Sequence, residues 1–520
     1  LTAVSSSSFI IVGSVSGNQS QQYNLNNAES YTTSNNEVSF RIEQGSFSFA
    51  VGDTFSFSTT SGTVVSESVT LTETGVNTGV FEGSIALAEG SASASNNTLE
   101  VNSGDLITAF YNDASGDWGG AVQVRSTSLY SATVIGGSTI LADTVWTAAN
   151  SPYLITGDVT VQKGVTLTIL EGVEVLFLAN SDDQVSGNQL YDSELIISGD
   201  LTVIGTEANP VIFDSSSRTS FPGDWGGIRF NYCEIWDGSG DCDDSTLDYA
   251  IIKNSGYGIY KSSYQTLTIS NSVIRNSGGR GVELREGSSI IINSQIINNN
   301  SGISIENGNL KITDSIIKDN EGSALDAQWN SHVDASSNEI SNNGSGFSGY
   351  YLSSLSFNNN TVLDNNGSGM SVNELRDSAP EVIGNTFSGK GGGDAIYIGV
   401  SNTGAELTIS DNVITSFRSG IQLSGQSSTA IVSNNSITGM TNCGLYVSGK
   451  VVPIVTDNRL DNNSCGMYFE YSDANGNGSF EVSNNEIINS SNDAITINSY
   501  AKPTFSNNDI YGNGGYAIVN

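Results

Sequence analysis

Gly281-Val-Glu-Leu284, Gly302-Ile-Ser-Ile305, Gly420-Ile-Gln-Leu423, Gly444-Leu-Tyr-Val447 and Gly466-Met-Tyr-Phe469 are copies of one pattern. A small residue precedes an apolar, a free and a second apolar position. Ala324-Leu-Asp-Ala327, Gly369-Met-Ser-Val372, Ala395-Ile-Tyr-Ile398 and Ala494-Ile-Thr-Ile497 repeat it, and weaker copies begin at Gly258, Gly346 and Ala517. Successive copies lie 21 to 28 residues apart. Alternating apolar positions define a short strand with one face inward. A fixed period of this size is the mark of a stacked-repeat architecture. The unit is too short for a propeller blade and lacks the leucine framework of a leucine-rich repeat. One coil of a parallel β-helix fits, because a single coil cannot bury its apolar face and stacking must supply the core.

A second motif keeps the same phase: Phe357…Asn360…Val362, Ile409…Asn412…Ile414, Val432…Asn435…Ile437, Val455…Asn458…Leu460, Val482…Asn485…Ile487 and Phe505…Asn508…Ile510. Earlier copies place Ser272, Gln295, Ser315 and Asn338 at the Asn position. An Asn at a recurrent turn suits a left-handed backbone, and stacked amides can form a ladder between coils.

With these motifs the region resembles the right-handed parallel β-helix repeats of secreted bacterial proteins, related in fold to pectate lyases. The resemblance extends to Trp146…Tyr153-Leu-Ile-Thr-Gly-Asp-Val-Thr-Val161, Gly164-Val-Thr-Leu-Thr-Ile169 and Gly223-Asp-Trp-Gly-Gly-Ile-Arg-Phe230. It supplies the right hand and implies an all-β fold with a β-helix of about 15 coils over residues 146–520. Residues 19–130 lack the period but alternate, as in Val38-Ser-Phe-Arg-Ile42 and Leu106-Ile-Thr-Ala-Phe-Tyr111, which reads as one antiparallel β-sandwich. Thr72-Glu-Thr-Gly-Val-Asn-Thr-Gly-Val-Phe-Glu-Gly83 resembles the immunoglobulin-like repeats of large bacterial surface proteins. Residues 131–145 read as a junction. Residues 1–18, with Phe9, Ile10, Ile11 and Val12, read as an extended strand without an evident partner.

Eighteen Lys+Arg against 54 Asp+Glu give a net charge of −36. Nucleic acids and anionic membranes are bound through cations, so both are excluded as partners. No run of 18 apolar residues exists to span a bilayer. The first residue is Leu, which fits a removed signal peptide or a fragment.

The four cysteines fall into two close pairs. Cys233 and Cys242 close a short loop, read as a disulfide-linked hairpin. Cys443 and Cys465 occupy equivalent sites in adjacent coils, where stacking sets their Cα atoms ~5 Å apart, within disulfide range. Two disulfides imply an oxidising compartment and a secreted or cell-surface protein; four buried thiols are the alternative. Asp237, Asp241, Asp243 and Asp244 crowd the first loop and form a candidate Ca²⁺ site, the only cofactor expected. The alternative is a solvated acidic loop.

The resemblance implies a class that is often active on polysaccharides. The outward position of the triplets carries Tyr260, Glu283, Asp326, Tyr397, Tyr446 and Tyr468. Glu283 and Asp326 lie two coils apart, at or beyond the reach of a paired-carboxylate mechanism. The single histidine, His332, has Asp326 and Asp334 nearby in sequence. No catalytic set emerges. Tyr397, Tyr446 and Tyr468 form a candidate aromatic face for sugar rings or a protein. The expected function is a non-enzymatic extracellular structural or adhesive role. Phe9–Val12 of one molecule would pair with Ile518 and Val519 of the next in a head-to-tail filament. The partners expected are another copy or a cell-surface glycan; the alternative is a polysaccharide-binding or polysaccharide-degrading protein.

Overall fold

The structure is a computed structural model that describes residues 132–520 apart from 186, 218–219, 232–243, 378 and 474–477, together with short strands and a few linking residues before 132. The chain divides into two units, Leu1–Tyr130 and Ser131–Asn520.

The second unit is a parallel solenoid. Three sheets of 16, 16 and 15 strands run its length, and each strand pairs in parallel with the strand three further on. Each coil, or rung, therefore contributes one strand to each sheet. Rung 1 consists of Thr133–Ile135, Ser138–Ile140 and Thr144–Trp146; rung 16 ends at Ile518–Val519. The stretch 131–145 is thus the first rung and not a junction, since Thr133–Ile135 pairs with Tyr153–Ile155 and Ser138–Ile140 with Val159–Val161. Its apolar residues Val134 and Val145 occupy outward positions, in register with Leu154 and Thr168, and Leu141 follows the second strand; all three are exposed, and this hides the repeat.

The inward positions stack into apolar columns. On the first sheet Ile274, Ile296, Ile317, Ile340, Val362 and Phe387 are neighbours rung by rung, all at most 1% exposed. On the second sheet Val282, Ile303, Leu325, Phe347 and Met370 do the same. The small residue before each triplet turns the corner beneath the next rung: a Cβ on Gly420 would lie 2.3 Å from the Gly444 carbonyl oxygen.

Two polar ladders hold the corners. Between the third and first sheets the side chains of Ser272, Ser294, Ser315, Asn338, Asn360, Asn385, Asn412, Asn435, Asn458, Asn485 and Asn508 each accept from the backbone N–H of the rung before. Ser294, and not Gln295, belongs to this column. The left-handed residue is the one before the ladder position, as at Asn434, Asp457 and Asn484 (φ 55 to 58°). The ladder Asn itself is buried and supplies amide bonds. A second ladder, Asn299, Asn320, Asn343 and Asn365, stands between the first and second sheets.

In the first unit, Thr2–Ser5 pairs antiparallel with Ser8–Gly13, which pairs with Gly17–Asn24. The segment carrying Phe9–Val12 is therefore the middle strand of a three-stranded sheet, partnered on both edges within its own chain, and the boundary at residue 18 cuts through its third strand. Leu106–Asp113 and Val122–Leu129 form a hairpin, whereas Ala86–Glu89 and Thr98–Val101 run parallel. The sandwich expected for 19–130 falls largely outside the described residues.

Candidate functional site

On the second sheet, residues at the middle outward position form a column along the axis: Arg229, Tyr260, Glu283, Ser304 and Asp326 on rungs 4 to 8. The motif Asp224-Trp-Gly-Gly-Ile-Arg229 prepares its start. Trp225 turns inward, fully buried, stacks on Phe177 at 3.9 Å and donates from Nε1 to the Lys253 carbonyl. Gly227 has φ 120°, and a Cβ there would lie 1.8 Å from the Tyr257 carbonyl oxygen, so only glycine admits this approach.

Next to Gly227 lies a hollow of about 250 Å³, walled by Asn188 and Gln189 of the long connection between rung strands and floored by Arg229, Tyr260 and Glu283. The Tyr260 ring lies between two guanidiniums, with Arg229 at 4.7 Å and Arg285 at 5.6 Å from its centre. Glu283 is buried between two arginines: Arg280 Nη1 reaches Oε2 at 3.0 Å, and Arg285 Nη2 reaches Oε1 at 3.0 Å. Arg229 donates from Nε to Asn231 Oδ1 at 3.2 Å and forms no ion pair among the described residues. Glu194, at the back, is nearly buried, and burial raises its pKa despite backbone N–H bonds from Asn188 and Gln189 and the field of Arg229. The hollow thus brings three of the chain's 18 cations together with two rings, Tyr257 and Tyr260, and two carboxylates, Glu194 and Glu283. This cluster was missed in sequence because Arg229, Tyr260 and Arg285 lie in three different coils. Their shared outward phase was the available signal.

The expected site residues separate. Tyr446 and Tyr468 stack face to face, 4.9 Å apart and 9° from parallel. Gln422 stands between Tyr397 and Tyr446, so Tyr397 is not part of the stack, and its hydroxyl meets Ser424 at 3.1 Å. The stacking direction is the solenoid axis, so the two rings use their facing surfaces on each other and present edges to solvent. Asp326 faces outward from the second sheet, with its pKa raised by burial against a hydrogen bond from Gln328. His332 and Asp334 lie on the third sheet, where His332 Nδ1 meets Ser354 Oγ at 2.9 Å. The corner after Gln328 parts Asp326 from His332, so the sequence neighbours do not form one group.

Cys443 and Cys465 are register partners on rungs 13 and 14 and are joined by a disulfide, with Cα atoms 4.4 Å apart. Cys233, Cys242, Asp237, Asp241 and Asp243 lie outside the described residues. Asp244 is described, and its Oδ1 accepts from the Thr266 N–H at 3.0 Å. Among the described residues no group of three metal-ligating side chains comes together. Ile518 and Val519 pair with Ile495 and Thr496 of their own chain.

Residues 255–403 and 390–510 match the family described as right-handed β-helix region, and residues 138–249 match the pectate-lyase-like β-helix domain. The chain carries a right-handed parallel β-helix of the pectate-lyase-like class. The β-helix is similar to the crystal structure of the periplasmic alginate epimerase AlgG, at 11% identity over 75% of this chain and 85% of that one, with a TM-score of 0.35. It is also similar to the Streptococcus pneumoniae surface protein and adhesin PfbA, at 11% identity over 74% and 90%, with a TM-score of 0.20. These likenesses are of fold alone. No curated protein matches the chain in sequence. No helix among the described residues is long and apolar enough to cross a membrane.

Proposed function

We propose that the protein is a non-enzymatic glycan-binding β-helix of an extracytoplasmic surface, and that the hollow beside Gly227 takes an acidic sugar. The observation that carries this reading is the sandwich of Tyr260 between Arg229 and Arg285. It is a flat aromatic with cations on either side, in a chain of net charge −36 where cations are scarce. A uronate carboxylate would meet the guanidinium of Arg229, which binds planar anions in a two-point fork. Glu283 has both oxygens engaged by Arg280 and Arg285, so it is poorly placed to take a proton. Glu194 accepts two backbone N–H bonds on one oxygen. Neither carboxylate has a histidine beside it in the hollow, and this favours binding over turnover. The Cys443–Cys465 disulfide supports an oxidising compartment.

Titration calorimetry with galacturonate and alginate hexamers tests the proposal. Wild-type protein is expected to bind at least one of them, and Arg229→Ala to weaken that binding tenfold or more. Failure to bind either hexamer at millimolar concentration overturns the glycan reading. New unsaturated or epimerised products on prolonged incubation overturn the non-enzymatic one.

A further inference from the structure

On another face of the solenoid, the corner between the second and third sheets changes character at rungs 8 and 9. At rungs 6, 7 and 10 the left-handed corner residues are Glu286, Asn307 and Glu374. At rungs 8 and 9 they include Trp329 (φ 46°) and Tyr351 (φ 56°). Bulky residues avoid this conformation, which Asn adopts readily, so holding one there is strained. The solenoid accepts that conformation twice in succession to place aromatics at one corner.

The rings are fixed. Trp329 stacks on Tyr351 at 5.1 Å and 9°, Tyr350 meets both edge-on at 5.4 and 4.4 Å, and the Arg376 guanidinium lies 4.4 Å over Tyr351. Arg376 also donates to Asn330 Oδ1 at 3.3 Å. Trp329 is the outermost ring of this stack, no second ring or cation among the described residues covers its other face, and it remains 44% exposed. A large apolar surface is thereby held rigid in water, the preorganised state that stacking of a flat ligand needs.

Three residues after Trp329 the chain enters the third sheet at His332, which lines a trough of about 500 Å³. The trough crosses rungs 6 to 10, from Ser288 through Asn309, His332 and Ser354 to Glu381. Ser288, Asn309, His332 and Ser354 are register partners, so their backbones recur at the rung spacing of about 4.8 Å, while Asn309 Nδ2 donates to Ser288 Oγ at 3.4 Å and His332 Nδ1 meets Ser354 Oγ at 2.9 Å. An extended β-1,4-linked sugar chain repeats on nearly the same spacing. The trough also holds Lys311, Asp334 and Asp377. Asp377 builds the wall, with its carboxylate accepting from the Leu355 and Ala379 N–H groups. One lysine against Asp334, Asp377 and Glu381 leaves no positive surplus for a polyanion.

We propose that the Trp329 corner and the adjoining trough form a second glycan site, for a neutral β-1,4-linked polysaccharide held in the trough, with one sugar stacked on the free face of Trp329. The site shares no residue with the hollow at Arg229. The test is titration calorimetry of the full chain with cellohexaose, mannohexaose and xylohexaose, with galacturonate hexamer as the charged control. At least one neutral hexamer is expected to bind. Trp329→Ala should weaken it tenfold or more, Trp329→Phe should restore part of the loss, and Arg229→Ala should leave it unchanged. An unchanged melting temperature in Trp329→Phe keeps the comparison free of folding effects. No binding of any neutral hexamer at millimolar concentration, equal binding by Trp329→Ala, or loss through Arg229→Ala would each overturn the proposal.

Discussion

Truncating one rung of the asparagine ladder should destabilise the solenoid by several kcal/mol. Asn412 is fully buried. Its Oδ1 accepts from the Asn385 backbone N–H at 2.9 Å and from Asn385 Nδ2 at 3.0 Å. Its Nδ2 donates to the Val382 carbonyl at 2.9 Å and to Asn435 Oδ1 at 2.9 Å. Asn412→Ala removes all four bonds. Asn435 Oδ1 keeps the Asn412 backbone N–H, but the Asn385 N–H loses its side-chain acceptor in a dry corner. The three other bonds contribute about 1 kcal/mol net each and the orphaned buried Asn385 donor costs about 1–3 kcal/mol, so a loss of about 4–6 kcal/mol is expected. The protein carries its own control. Ser272, Ser294 and Ser315 occupy the same column, and their hydroxyls reach the preceding N–H at 2.9 to 3.2 Å. Asn412→Ser should therefore recover the backbone acceptor and about 1–2 kcal/mol of the loss. Urea unfolding followed by circular dichroism measures the difference, and hydrogen exchange locates it at the Asn385 amide. A cost below 1 kcal/mol for Asn412→Ala, or equal costs for Ala and Ser, would refute the ladder as a source of stability.

Lys261 fills an inward position between Phe230 and Leu284, is fully buried, and donates from Nζ to the Ser263 and Glu286 carbonyls. Burial brings its pKa down to about 8, with Glu286 opposing. The unfolded chain then binds more protons between pH about 8 and about 10.4, so stability should rise with pH across that window. Lys261→Met should abolish that rise, and an unchanged pH–stability slope in the variant would contradict it. Reducing the Cys443–Cys465 bond releases a cross-link across 22 residues and should cost about 3 kcal/mol, read as a shifted unfolding midpoint in Cys443→Ala/Cys465→Ala. An unshifted midpoint would count against a structural role for the bond.

The repeat was legible because strand alternation and corner chemistry are local. Each apolar triplet reports its own inward face, and equal phase in Cys443 and Cys465 is enough to place them side by side. The first rung escaped because Val134 and Val145 sit at outward positions while Thr133, Ser138 and Thr144 take inward ones, so its pattern lacks a clear buried face. Ser294 was misplaced by one residue because serine and glutamine are equally plausible at a turn, and only the bond from the Ser272 N–H selects between them. Partnering of Phe9–Val12 depended on pairing across two turns, which alternation alone does not encode. Trp329 and Tyr351 were overlooked for a related reason: the residue type at this corner changes from rung to rung, as in Glu286, Asn307, Trp329, Tyr351 and Glu374, and an aromatic in a left-handed corner looks in sequence like any loop aromatic. The hollow at Arg229 needed three coils to be superimposed in register before its charges met.

The single covalent tie between rungs 13 and 14 has a mechanical consequence. A solenoid pulled from its carboxyl end would shed rungs in order, each detachment breaking only the hydrogen bonds of one coil. Such a peeling front meets rungs 16, 15 and 14 first, and the Cys443–Cys465 bond lies at the far side of rung 14. Rung 14 can lose its hydrogen bonds there without leaving the stack. The pull then passes through the disulfide to Cys443 on rung 13, and the chain between the two cysteines is shielded from it. Under reducing conditions the same pull would extend the residues between Cys443 and Cys465 as well, so the length released before rung 13 is loaded reports the state of the bond.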